Sequence, residues 1–158
     1  MLRLEQACTL EYSMECGVTA EFAWNFWTNV SNWALDADME SVEIDGPFAA
    51  GAQGVTNSKS SGRIKWRIVE AQAGRAVIEF PLSGAVAWFS WTFEGTGAGA
   101  RITQCCSLKG EQANTYAKEF GSRLEAGISA GMLKLCVAME RAAQAADHYN
   151  SRSTAKGN

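Results

Sequence analysis

The stretch RIKWRIVEAQAGRAVIEFPLSGAVAWFSWTFEGTGAGARITQCCSLK, residues 63–109, decides the fold. Its segments 63–71, 75–82, 86–95 and 101–109 alternate apolar and polar residues, the period of a half-buried strand. The links Gln72-Ala73-Gly74, Ser83-Gly84-Ala85 and Thr96-Gly97-Ala98-Gly99-Ala100 are hairpin-length and carry glycine. Antiparallel pairing follows. With Ile64, Trp66 and Ile68 on one face, the links set Trp66 opposite Ile78, Ile78 opposite Trp91, and Trp91 opposite Gln104. The other face then brings Lys65 against Glu79 and Glu94 against Arg101, opposite charges that favour the pairing. A one-residue slip would carry Lys65 and Arg67 into the core.

The resulting apolar face holds Trp66, Ile78, Phe80, Phe89 and Trp91, continuing through Phe93, Ile102, Cys106 and Leu108. A face of that size needs a cover. The segment 111–146 supplies one. Phe120, Leu124, Ile128, Gly131, Leu135, Met139 and Ala142 line one side of a helix there, with Lys118, Arg123, Glu125, Lys134 and Arg141 turned away. Toward the N-terminus, Leu4, Cys8, Leu10, Tyr12 and Met14 alternate with Glu5, Thr9, Glu11 and Ser13 in another strand, broken on its apolar side by Gln6. Thr19 can cap a helix running to Thr28, with Phe22, Phe26 and Trp27 at helical spacing and Asn29 as its stop. Ser31 is placed to cap a second short helix carrying Trp33. Residues 39–44 read as a strand ended by Asp45-Gly46-Pro47, residues 48–54 as a small-residue loop, and residues 55–58 as a weaker strand. The expectation is an α+β fold: a curved antiparallel sheet of about six or seven strands wrapped around a long C-terminal helix. It forms a single domain, 1–146, with a polar, frayed tail over 147–158.

Composition sets the bounds. A chain of 158 residues fits one domain with a sizeable core. A net charge of −3 argues against a nucleic-acid partner. No stretch approaches 18 apolar residues, so no integral membrane segment is expected, and the acidic residue at position 5 falls where a signal peptide needs an apolar run. The five cysteines, Cys8, Cys16, Cys105, Cys106 and Cys136, are odd in number and lack C-x-x-C spacing. They read as five reduced, mostly buried thiols in a cytoplasmic protein. With His148 the only imidazole, neither a metal site nor a cofactor is expected.

The order of elements resembles the helix-grip fold of the START-like, or SRPBCC, superfamily, and within it the polyketide cyclase/dehydrase-like branch. The resemblance rests on Thr19-Ala20-Glu21-Phe22-Ala23-Trp24 at the first short helix and Asn32-Trp33 after the second. It continues in Thr103-Gln104 and Ser107-Leu108-Lys109-Gly110 at the last strand. Leu124-Glu125-Ala126-Gly127-Ile128 and Leu133-Lys134-Leu135 carry it into the long helix. The resemblance spans about residues 2 to 146 and implies a cavity between sheet and helix for an apolar or amphipathic small molecule. It implies no single activity: the superfamily includes lipid and hormone carriers, aromatase/cyclases, quinone-binding proteins and chaperone co-activators.

The candidate cavity residues are Trp33, Trp66, Ile78, Phe80, Trp91, Gln104, Cys106, Phe120, Leu124 and Ile128. Gly121, Gly127 and Gly131 each cost a helix about 1 kcal/mol relative to Ala. They either leave room for a ligand or allow close packing on the sheet. Gln104 is the polar residue of most interest. A buried amide without partners costs about 1–3 kcal/mol, so it bonds either within the protein or to a ligand. Tyr12 and Tyr116 can donate hydrogen bonds in a cavity. Asp36, Asp38 and Glu40 form an acidic cluster that reads as a solvated loop before it reads as an acid/base pair. Arg63, Lys65 and Arg67 read as a solvated strand face. Gly95, Gly97 and Gly99 precede a strand rather than opening a helix, so they are not a phosphate loop. Cys105 and Cys106 lack the histidine that a thiolate mechanism needs.

Three functions remain open: a non-catalytic binder of a lipid, quinone, polyketide or aromatic compound; a cyclase/dehydratase-type enzyme steered by Gln104 or a tyrosine; and a protein-interaction module. The last needs an exposed apolar patch, for which Trp88 is the candidate. Trp88 could equally sit in a homodimer contact.

Overall fold

A computed structural model describes residues 10–35, 39–60 and 62–155. Strand β1 (Leu10–Cys16) leads into α1 (Ala20–Thr28), then into a 3-10 helix over Val30–Leu35. A meander follows: β2 (Met39–Ile44), β3 (Gln53–Ser58), β4 (Gly62–Gln72), β5 (Arg75–Leu82), β6 (Ala85–Thr96) and β7 (Gly99–Lys109). The chain closes with α2 (Ala113–Ala155). All seven strands join one antiparallel sheet in the order β1-β7-β6-β5-β4-β3-β2. This is the helix-grip architecture that the sequence predicts.

Capping chemistry sets α1. The Thr19 side chain accepts from Phe22 N–H at 3.1 Å, and Asn29 ends the helix. Ser31, expected to cap the next helix, instead lies inside it and donates to Asn29 Oδ1 at 2.6 Å. The long helix does not stop at residue 146 but runs on to Ala155. Residues 147–155 are polar yet contain neither Gly nor Pro, so nothing in them breaks the backbone ladder. Gln6 and Cys8 lie outside the described residues, as do Asp36 and Asp38 of the acidic cluster; Glu40 is exposed.

The register corrects three of the expected pairs and keeps two. Trp91 lies opposite Gln104, and Glu94 opposite Arg101, as expected. But Ile78 pairs with Ile68 and Phe89, not with Trp66 and Trp91. Lys65 does not meet Glu79; Arg67 does, at 3.3 Å. The links at Ala73-Gly74 and Ser83-Gly84 are two-residue turns, with φ of 84° and 72° at the glycines. A bulge between Ile68 and Glu70 adjusts β4. The expected pairs are therefore displaced by an even number of residues. An even displacement leaves side chains on their predicted faces, as at Trp66, Ile68, Ile78 and Phe89; only past the bulge does β4 change parity.

The outer face holds the second correction. Trp88 is half-buried, not an exposed apolar patch, and its indole N–H donates to Glu79 Oε2 at 3.0 Å. Cys105, also on this face, is disulfide-bonded, so the reading of five reduced thiols fails there. No helix among the described residues is long and apolar enough to cross a membrane.

Candidate functional site

The inner face of the sheet is divided. At one end, α1 and the stretch of α2 around Met132 to Met139 press on it, burying Ala23, Trp27, Ile102, Met132 and Met139. Aromatic rings fill this end. Trp27 packs at a tilt against Trp91, with ring centroids 4.8 Å apart, and against Phe93 at 5.4 Å, and Trp24 meets Phe93 and Phe48 edge-on. At the other end, α2 stands off the middle strands. The space between is a cavity of about 1660 Å³.

Nine of the ten candidate residues line that cavity. Ile78, Phe80, Trp91, Gln104 and Cys106 form its sheet wall, Trp33 one side, and Phe120, Leu124 and Ile128 its helix wall. Trp66 does not line it. Its ring packs against Gly54 on the neighbouring strand, where any Cβ would overlap it, and against Trp33 at 5.1 Å. Its indole N–H is buried and has no hydrogen-bond partner among the described residues. Residues not singled out from sequence also contribute, among them Trp27, Ile64, Phe89 and Leu108. The signal for Trp27 was present, since Phe22, Phe26 and Trp27 share a helical face. What was missing was the packing of that face beside the cavity. Trp27 C=O also holds Trp33, accepting from its Nε1 at 2.8 Å.

The three glycines resolve in favour of room. A Cβ at Gly121, Gly127 or Gly131 would meet nothing within 4 Å, and all three border the cavity. Close packing would have left those Cβ positions crowded.

Gln104 is 7% exposed and opens onto this space. Among the described residues no hydrogen bond engages its amide, which is open to the cavity rather than sealed in the core. Tyr116 reaches the rim, but its hydroxyl is committed to Ser83 C=O at 2.9 Å. Burial pushes the Cys106 thiol up to about 11. It is therefore protonated at neutral pH, an apolar part of the wall. Charged side chains near the cavity, Arg123, Glu125, Lys134 and Arg141, all belong to α2.

No family model matches the chain, and no curated protein matches it. Solved structures do. Norcoclaurine synthase from Thalictrum flavum, in complex with dopamine and hydroxybenzaldehyde, superposes with a TM-score of 0.66 at 12% identity, over 85% of this chain and 86% of that one. Ara h 8.0201 gives 0.69 at 10% identity, over 84% and 97%. The di-domain ARO/CYC StfQ from the steffimycin biosynthetic pathway gives 0.67 at 14% identity, over 85% of this chain and 51% of that longer one. At these identities the likeness is one of fold: the helix-grip architecture is shared across most of the chain.

Proposed function

We propose that this protein binds an apolar or amphipathic small molecule, such as a lipid, quinone, polyketide or aromatic compound, between its sheet and α2. The observation that carries the reading is the cavity itself: about 1660 Å³, walled mostly by aliphatic and aromatic side chains, with the Gln104 amide on its wall and not hydrogen-bonded among the described residues. Ligand sites are typically about 300–1,000 Å³, so the space suits a multi-ring or long-chain molecule rather than a small metabolite. Transfer of apolar ligand surface from water contributes about 25 cal/mol per Å². Gln104 supplies direction. A ligand hydroxyl or carbonyl can pair with its amide in place of the solvent that reaches it in the empty cavity.

The test is native mass spectrometry of protein purified without denaturation, followed by thermal shift with fatty acids, quinones and polyaromatic compounds. A co-purified mass, or a melting temperature that climbs with ligand concentration, supports the reading. No bound mass and no shift with any of the three classes overturns it. Gln104→Leu should keep the fold and weaken ligands bearing a hydroxyl or carbonyl by about tenfold, the worth of one hydrogen bond. An unchanged affinity would remove Gln104 from recognition.

A cyclase/dehydratase-type activity is the second reading, favoured by the likeness to the ARO/CYC StfQ. The sheet wall gives it little to work with. Gln104 does not titrate, and the Cys106 thiol holds its proton to about 11. Turnover of a reactive polyketide chain, lost in Gln104→Leu with binding intact, would turn the assignment toward this reading.

A further inference from the structure

A second cluster lies outside the cavity. Strand β1 ends on Cys16, and two side chains one turn apart on α2, Cys136 and Glu140, come to meet it. The two sulfurs and a Glu140 carboxylate oxygen all lie within 4.8 Å of one another, and both thiols are free. Cys16 is 4% exposed and Cys136 5%, while Glu140 is only half-buried. The backbone aims the carboxylate: Gly17 N–H donates to Glu140 Oε1 at 2.9 Å. Residue 17 is glycine, and a Cβ there would stand 3.3 Å from that same oxygen. Each thiol donates to a main-chain carbonyl, Cys16 to Cys136 C=O at 3.7 Å and Cys136 to Glu15 C=O at 3.5 Å.

We propose that Cys16, Cys136 and Glu140 form a site for a thiophilic divalent cation of the zinc class, which clamps α2 to the end of β1. Binding displaces the two thiol protons to solvent, so a cation of charge +2 faces two thiolates and one carboxylate. Two soft sulfur donors select zinc-class metals over magnesium and calcium, which take oxygen ligands. Three protein donors leave one position for water, and the half-buried carboxylate marks the way in. A disulfide between the two cysteines would use the sulfurs alone and leave the oriented carboxylate without a role. A cation uses all three groups, and Gly17 N–H becomes the outer contact that fixes a ligating carboxylate. The expectation of no metal site came from spacing along the chain. Cys16 and Cys136 stand 120 residues apart, so only the tertiary structure brings them together. None of the three residues lines the cavity, so the proposal stands apart from the ligand-binding reading.

The test is titration of the full-length protein, stripped with chelator and kept under inert gas, with Co²⁺ and then Zn²⁺. The expected result is one equivalent of Co²⁺ with a sulfur-to-cobalt charge-transfer band, displaced by Zn²⁺, and a melting temperature raised by Zn²⁺. Cys106→Ala should retain the band, and the Cys16→Ala/Cys136→Ala double variant should lose it. Loss of even an outer-shell partner typically costs roughly 10–100-fold in metal affinity, so Glu140→Gln should weaken binding by at least about tenfold. Absence of a charge-transfer band in the unmodified protein overturns the proposal, as does a band that survives the double variant. If the cysteine variants fail to fold, Glu140→Gln decides alone: an unchanged Co²⁺ affinity there also overturns it.

Discussion

Phe120 and Met139 belong to the same helix and to the same predicted apolar stripe, yet Phe120 is 43% exposed and Met139 is 0%. In the N-terminal half of α2, Gly121, Gly127 and Gly131 face open space. Further along the helix, Met132, Cys136 and Met139 sit in the core with α1 and the end of β1. Apolar periodicity is common to both sets. What differs is the distance at which the helix is held from the sheet. Met132, Cys136 and Met139 fix the helix on one side, while the cavity borders other positions along it from Tyr116 to Arg141.

The sharpest way to break this division is Met139→Ala against Phe120→Ala. Deleting a fully buried Met side chain costs about 2–5 kcal/mol through lost transfer energy and a residual cavity. Phe120→Ala should cost under about 1 kcal/mol, since much of that ring already contacts solvent. Urea unfolding of both variants measures the difference, and equal losses would mean that the two positions are equally packed.

Next in size is an alkaline effect on the sheet wall. Cys106 is raised from 9.0 to about 11 by burial, so the folded state holds its proton where the unfolded chain releases it. Its contribution is complete below pH 9 and is lost as pH rises toward 11. Two pKa units correspond to about 2.7 kcal/mol. Stability followed from pH 8 to pH 11 should fall less steeply in Cys106→Ala than in the parent. Parallel slopes would mean that this thiol is solvated.

Gly127 separates room from packing on the open side. Gly127→Ala should add about 1 kcal/mol to stability, because the helix gains and the new methyl meets nothing. Gly127→Leu should keep the fold yet lower ligand affinity, by filling space that the ligand would use. Loss of stability in the Ala variant would put the sheet closer to α2 than the open geometry allows. The smallest effect belongs to the surface: Arg101 and Glu15 pair at 3.1 Å with both side chains half-exposed or more. Arg101→Ala should shift the urea midpoint by the equivalent of about 0–1 kcal/mol, and less in high salt.

Much of the fold was legible because alternation and glycine-bearing turns are local signals. Residues 63–109 announce four strands, and the charges on their outer face select the parity of the pairing. The pairing itself was displaced between β4, β5 and β6, since neither a bulge at Ile68/Glu70 nor a two-residue turn can be told from a three-residue one by alternation. Eight of the residues that line the cavity were reached from sheet face and helix periodicity, and Trp33 through the resemblance. Trp66 was wrongly counted with them, because its burial depends on Gly54, a neighbour in a strand whose pairing gave little sequence signal. The inner position of Gln104 follows from the register, but its lack of a partner among the described residues does not.

The sequence by itself determined the order of elements, the inward face of each strand and the amphipathic cover, since all three follow from periodicities of two and 3.6 residues. The tertiary structure alone decided how far α2 stands from the sheet, which of its positions are packed, and that Cys16, Cys136 and Glu140 converge. Distances between elements arise from the summed shapes of packed side chains. No local pattern encodes that sum.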